Sequence, residues 1–264
     1  MTYKCFILPL ACLAAFCSCS IKEDRRECPC YLELVADERM DASPEGRLMV
    51  SVFEGTRTEF RTVFSSRQVD ESDFGEISLK RGYVDVNALW GVFHGVVRGC
   101  NYMLPEGSQM DSLYASTRRG VDATGELARA SIFDAKQFCT IGMNLLPEGV
   151  ESPITLQIRG NVAGLDLRTL RPAHGPFRAR AQQTEPSRFS LRVPRQDDDS
   201  LMLDFLQGEE LLFSFELGRR IIEMDYDWTA ESLEDIELEI DYANARISVI
   251  VGGWEMSWAY SIEI

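Results

Sequence analysis

Apolar residues in this chain recur at every second position rather than every third or fourth. Leu32/Leu34, Val50/Val52, Ile77/Leu79 and Val84/Val86 set the pattern in the first half. Ile154/Leu156/Ile158, Phe189/Leu191/Val193, Leu201/Leu203/Phe205, Phe213/Phe215/Leu217, Ile236/Leu238/Ile240 and Ile247/Val249/Val251 repeat it in the second. Successive side chains of a strand point to opposite faces, so each run predicts a strand with one face in a core and the other in water. Gly, Pro and acidic residues punctuate the runs at Pro44 to Gly46, Arg81-Gly82, Pro147 to Gly149 and Asp197 to Asp199. Helical periodicity is weak, and only Asp111 to Ser116 and Glu126 to Phe138 read as short helices. Many short strands at this spacing predict an all-β protein of the sandwich or barrel type.

The stretch "LLPEGVESPITL", Leu145 to Leu156, sets two prolines, a glycine and two acids between strand-like runs, and it reads as a linker. Cutting there yields an N-terminal domain over 28–147 and a C-terminal domain over 148–264, each near the size of a seven-strand sandwich. A single elongated sandwich is the alternative. The closing segment "WEMSWAYSIEI" is the sharpest pattern in the body. Trp254, Met256, Trp258, Tyr260, Ile262 and Ile264 share one face, while Glu255, Ser257, Ala259, Ser261 and Glu263 share the other. Such a strand is suited to filling a groove with large side chains. It either pairs with a neighbouring subunit or completes its own domain. Before it, Ala243-Asn244-Ala245 reads as the turn of a two-strand unit.

At the other end Lys4 is the only charge before an apolar run from Cys5 to Phe16, which is signal-peptide length and too short to span a bilayer. Four of the eight cysteines, Cys5, Cys12, Cys17 and Cys19, fall in or just after it, so they are not a disulfide framework. Lipoprotein processing needs a small residue before the modified cysteine. Ser18 precedes Cys19, whereas Phe16 precedes Cys17. We therefore read 1–18 as a lipoprotein signal peptide, Cys19 as the lipidated first residue and 19–27 as a charged leader that holds the body off the membrane. An ordinary secretory signal with cysteines as apolar filler is the alternative.

The chain has 264 residues, 45% hydrophobic, enough for one large or two medium cores. Its 27 basic against 42 acidic residues give a net charge of -15, with no basic cluster beyond pairs such as Arg118-Arg119, which argues against a nucleic-acid partner. Catalytic inventory is thin. The two histidines, His94 and His174, lack metal-ligand neighbours at helical spacing, and no zinc, nucleophile-elbow, phosphate-loop or dinucleotide motif occurs. A thiol pair of His94 and Cys100 is the one nucleophilic arrangement to weigh, and the strand-and-turn character of the residues between them argues against it. The acidic groups Asp70/Glu71/Asp73, Asp197/Asp198/Asp199 and Asp225/Asp227 lack the calcium-loop signature and read as solvated turns. We expect no catalytic residue, metal or cofactor. Cys28 and Cys30 are too close to pair comfortably, and Cys100 and Cys139 are either bridged or buried free thiols.

The segment "CSIKEDRRECPCYLEL", Cys19 to Leu34, resembles the start of the FimB-type anchor lipoproteins of Bacteroidales type V fimbriae. That resemblance covers about sixteen residues well: a lipidated cysteine, an acidic-basic leader, Cys-Pro and the first strand. Within it, Lys22, Glu23 and Asp24 resemble the signal that sends lipoproteins of that bacterial group to the outer face of the outer membrane. The family implies two tandem transthyretin-like (Greek-key) β-sandwich domains. It also implies a lipid-anchored structural protein at the fimbrial base, joined to fimbrial shaft subunits by non-covalent strand pairing. The competing reading is a cell-surface glycan- or ligand-binding lipoprotein that stacks sugars on Trp90, Trp228 or Trp258. Aromatics on a core face favour assembly, and a solvent-facing cluster would favour glycan binding.

Overall fold

A computed structural model describes residues 28–38, 47–146, 154–241 and 244–259. The leader and lipidation site, the turn over Pro44 to Gly46, residues 147–153 of the expected linker and the last five positions lie outside the described residues. In chain order the strands begin with β1 (Cys30–Ala36), β2 (Leu48–Glu54) and β3 (Arg57–Phe64). A short helix α1 (Ser66–Asp70) then leads to β4 (Ile77–Leu79), β5 (Tyr83–Trp90), β6 (Val96–Arg98) and β7 (Asn101–Met103). Next come β8 (Tyr114–Asp122), β9 (Leu127–Ile132), β10 (Ala135–Lys136) and β11 (Phe138–Leu146). The second half opens with β12 (Ile154–Asp166), β13 (Arg171–Arg180), β14 (Gln182–Glu185) and β15 (Arg188–Pro194). It closes with β16 (Met202–Gln207), β17 (Glu210–Phe215), helix α2 (Leu217–Glu223), β18 (Ile236–Asp241), β19 (Arg246–Val251) and β20 (Trp254–Ala259).

The expected all-β class holds, and every alternating run read from the sequence lies in or beside a strand. Two sheets, ordered β4-β1-β9 and β10-β8-β5-β2-β3, face each other across a core that includes Leu32, Val50, Val52, Val86 and Trp90. Two larger sheets, β14-β15-β11-β18-β19-β20 and β17-β16-β12-β7-β6, enclose a second core around Ile141, Leu156, Leu191, Leu203 and Leu238, with β13 paired along β12. Most neighbours are antiparallel, but β1 runs parallel to β9 and β11 parallel to β18. A third cluster, with Phe53, Leu89, Tyr102, Met110 and Leu165 at its centre, joins residues from both halves.

The sheets interleave across the stretch expected to divide the chain. β6, β7 and β11 all precede residue 147, yet β7 is hydrogen-bonded to β12 and β11 to β15 and β18. A Pro- and Gly-rich stretch marks where the chain leaves a strand; it does not decide which sheet that strand joins. Two expected helices are strands instead. Tyr114 to Ser116 open β8, and most of Glu126 to Phe138 forms β9 and β10. In β9 Ala128, Ala130 and Ile132 are buried while Leu127 and Arg129 are exposed, a period of two. Alanine favours helices by propensity, and here pairing with β1 overrides that preference. α1 instead forms where Ser65 and Gln68 make a reciprocal capping box.

Candidate functional site

Site residues expected at the N-terminus, Cys19, Lys22, Glu23 and Asp24, fall outside the described residues, as do Tyr260, Ile262 and Ile264. Trp254, Met256 and Trp258 lie on β20, which pairs with β19 in its own sheet from Arg246 opposite Ala259 to Val251 opposite Trp254. The expected face is real but unevenly covered. Trp258 packs against the second core, with its ring centre 6.3 Å from that of Phe215 and 5.3 Å from the Arg220 guanidinium. Met256 is 44% exposed and Trp254 81%. Only one of these three side chains therefore fills the groove. On the opposite face Ser257 Oγ lies 2.8 Å from Ser248 Oγ, a cross-strand hydrogen bond that holds β20 in register.

The aromatics that were to discriminate glycan binding from assembly sit inward. Trp90 and Trp228 are buried and belong to the first and second cores respectively. All four described cysteines are free thiols, so no Cys100–Cys139 bridge forms. Burial pushes the Cys139 thiol up to about 12, far from a nucleophile at neutral pH.

Polar organisation concentrates at two places that composition did not reveal. The first is Asp111, which lies between β7 and β8 and is fully buried. Its carboxylate accepts the backbone N–H groups of Phe93 at 2.9 Å, His94 at 3.0 Å and Gly95 at 2.9 Å, together with the Tyr102 hydroxyl at 2.8 Å. His94 Nδ1 is a further 2.9 Å contact, and because a carboxylate only accepts, that nitrogen bears the proton. Burial by itself raises the Asp111 pKa, but the donors from Gly95, Phe93, His94 and Tyr102 outweigh it and hold the group below its ordinary value. Burial, and then the neighbouring carboxylate, push the Tyr102 hydroxyl up, which keeps it a donor. His94 is thus committed to a structural bond rather than to Cys100.

This knot needs glycines beside it. At Gly91, with φ of +78°, a Cβ would lie 1.9 Å from the Ser112 carbonyl oxygen, and at Gly95 one would lie 2.1 Å from the Tyr102 ring. Gly91→Ala is expected to cost about 2–4 kcal/mol, a positive-φ penalty plus an overpacking penalty. Gly55→Ala, where φ is +59° and nothing lies within 4 Å of the added carbon, should cost only about 1 kcal/mol. Urea unfolding of the two variants checks this, and equal losses would contradict it.

The second place is Arg195, which is buried and fixes the segment after α2. Its Nη1 donates to the Trp228 carbonyl and, at 2.8 Å, to the Ala230 carbonyl, while Nη2 donates to Gln137 Oε1 at 3.0 Å and the Glu231 carbonyl at 3.4 Å. These groups back a cleft of about 860 Å³ that is also lined by Arg118, Phe133, Tyr226 and Asp227. The network ties Gln137 of the first half to Arg195 and the 228–231 carbonyls of the second. At one rim the fold brings His174 of β13 to Asp197 and Asp198, their ligand-type atoms lying within 4.8 Å of one another. His174 Nε2 lies 3.3 Å from Asp197 Oδ2, and Asn161 Nδ2 and Ser200 N donate to Asp198 at 2.7 and 3.0 Å. Those contacts account for the cluster as hydrogen-bonded side chains on a turn. His174 is 23 positions from Asp197, beyond the reach of any spacing rule.

No family model matches the chain, and no curated protein matches it. Solved structures do. The fimbrial anchor protein Mfa2 from Porphyromonas gingivalis is similar at TM-score 0.61 and 12% identity, over 86% of this chain and 99% of that one. A protein described as a candidate adhesin from Bacteroides ovatus is similar at TM-score 0.57 and 15% identity, over 90% of this chain and 97% of that one. A protein described as a candidate polysaccharide binder from Bacteroides thetaiotaomicron gives TM-score 0.58 and 13% identity, over 87% and 98%. At these identities the likeness establishes the fold. No described helix is long and apolar enough to cross a membrane.

Proposed function

We propose that this chain is a structural, non-enzymatic protein of a surface fimbria, held at the outer membrane by lipid on Cys19 and joined to shaft subunits by non-covalent strand pairing. The observation that carries the reading is a fold shared over 86% of the chain with a protein described as a fimbrial anchor. The same chain has Ser18-Cys19 and the Lys22-Glu23-Asp24 leader ahead of its first strand. Two transthyretin-like sandwiches are the architecture we propose for the two large cores, with β6, β7 and β11 crossing the 147/148 division. The inward placement of Trp90 and Trp228 supports assembly over sugar stacking.

Lipid is the physical requirement of this reading. Removal of 1–18 loses Lys4 and no acid, so the body carries a net charge of -16 (-15 less the +1 of Lys4) and gains nothing from an anionic lipid surface. Each buried CH₂ contributes about 0.8 kcal/mol, so one acyl chain holds marginally and two or more hold firmly. Cys19→Ala is therefore expected to move the protein from the membrane fraction to the soluble fraction and to shed fimbriae into the medium, while Cys17→Ala changes neither. Membrane retention of Cys19→Ala would overturn the anchor.

A further inference from the structure

Edges of β-sheets present unpaired N–H and C=O groups, and soluble proteins blunt them with bulges, charges, prolines or shortness. Every other described edge strand here is blunted. β3 carries Arg57 and Arg61 and has a register break, and β17 also has a break. β14 is polar, exposed and irregular, and β4, β6 and β10 are two or three residues long. β9 sets Arg129 against Glu33, and β13 contains Pro172 and Pro176. β20 carries a single charge, Glu255, and none of the other devices. Its six residues hold unbroken register with β19, contain no proline, lysine or arginine, and meet no other described strand on the far side.

The core-directed face of β20 is also unfinished, because cover ends at Trp258 and leaves Met256 and Trp254 in solvent. Charge narrows the occupant. A second mature copy would bring another net charge of -16 (-15 less the +1 of Lys4) and another Glu255, so self-repulsion opposes that pairing. A strand from a different chain with a basic residue opposite Glu255 is attracted instead.

We propose that the edge of β20 that no other described strand pairs accepts an extended strand of a non-identical fimbrial subunit, whose alternate apolar residues cover Met256 and Trp254. Here β20 remains in its own sheet and receives a strand rather than being donated, so backbone bonds give the affinity and the two exposed side chains select the partner. The partner's identity as a fimbrial subunit rests on the function proposed above.

The test places photoreactive benzoylphenylalanine at Glu255 or Ser257 of the full chain in cells that assemble the surface structure, with Gln183 on β14 as the control position. Expected crosslinks from the two β20 positions fall two residues apart on one peptide of a different subunit, and the control gives none. Met256→Lys should cut their yield at least about tenfold, since an inward charge on an edge blocks strand addition, without moving the thermal midpoint. Crosslinks to this chain's own 147–153 or 260–264, to a second copy, or to nothing would each overturn the proposal. Two-residue spacing on a chain outside any fimbria would leave the edge proposal standing and overturn the fimbrial reading. Fimbrial co-purification without a β20 crosslink would do the reverse.

Discussion

Asp111→Ala is expected to lower the unfolding free energy by about 3–5 kcal/mol, the usual cost of breaking a buried charged network from one side. The deletion leaves the Phe93, His94 and Gly95 N–H groups and the Tyr102 hydroxyl without their acceptor, and removes the partner of His94 Nδ1. Asp111→Asn preserves shape but turns an –NH₂ toward those donors, so it should recover only a minor part of the loss. Acid gives an independent check. The folded Asp111 pKa lies below its ordinary 3.8, so the unfolded chain takes up the proton more readily. The contribution is therefore fully present above about pH 4–5 and is lost as pH falls from there through the folded value. Urea midpoints measured between pH 7 and pH 2.5 should fall more steeply for the wild type than for Asp111→Asn. Parallel curves would show that this carboxylate does not carry the knot.

The knot also separates what the sequence makes legible from what it does not. Wherever apolar alternation is clean and one face meets water, as in β15 and β18, strand and buried face can both be read directly, because one-residue geometry decides which way a side chain points. In β2 and β12 the strand is legible, but successive residues such as Val50 to Phe53 and Leu156 to Ile158 are buried on both faces. β8 and β9 were harder, since their inward positions include alanines whose local preference is helical and whose partners lie far along the chain. The position of β11 in the second pair of sheets was hidden for a similar reason: sheet order is a contest among strands with nearly the same pattern. Asp111 gave one faint signal, an acid between Met110 and Leu113, but its main-chain partners lie 16 to 18 residues upstream. On β20 the pattern correctly paired Trp254, Met256 and Trp258 on a face. What covers that face depends on the neighbouring sheet, and cover runs out after Trp258.

The buried guanidinium of Arg195 leads to the second large effect. Its bonds reach backbone carbonyls of Trp228, Ala230 and Glu231 and the side-chain oxygen of Gln137, so the cation is held by dipoles rather than by a carboxylate. Gln137 in turn donates through Nε2 to the Ala135 and Glu231 carbonyls at 3.1 and 3.2 Å. The same segment is fastened again where Leu233 N donates to the Lys136 carbonyl at 3.1 Å and Lys136 N to Ser232 Oγ at 3.1 Å. Burial lowers the Arg195 pKa, yet a guanidinium remains charged at any pH the fold survives. Arg195→Ala strands several buried acceptors at once and should cost about 3–5 kcal/mol. Arg195→Lys keeps the charge but presents a single ammonium where a planar fork spans two directions, so it should rescue less than half. Hydrogen exchange should then accelerate at Leu233 and across 228–232, before any change at Ile141 or Leu238 in the adjacent core. Gln137→Ala and Arg195→Ala remove parts of one network, so the double variant should lose less than the two single losses added, by about 1–2 kcal/mol. Strict additivity would mean that the two side chains stabilise their surroundings separately rather than as one network.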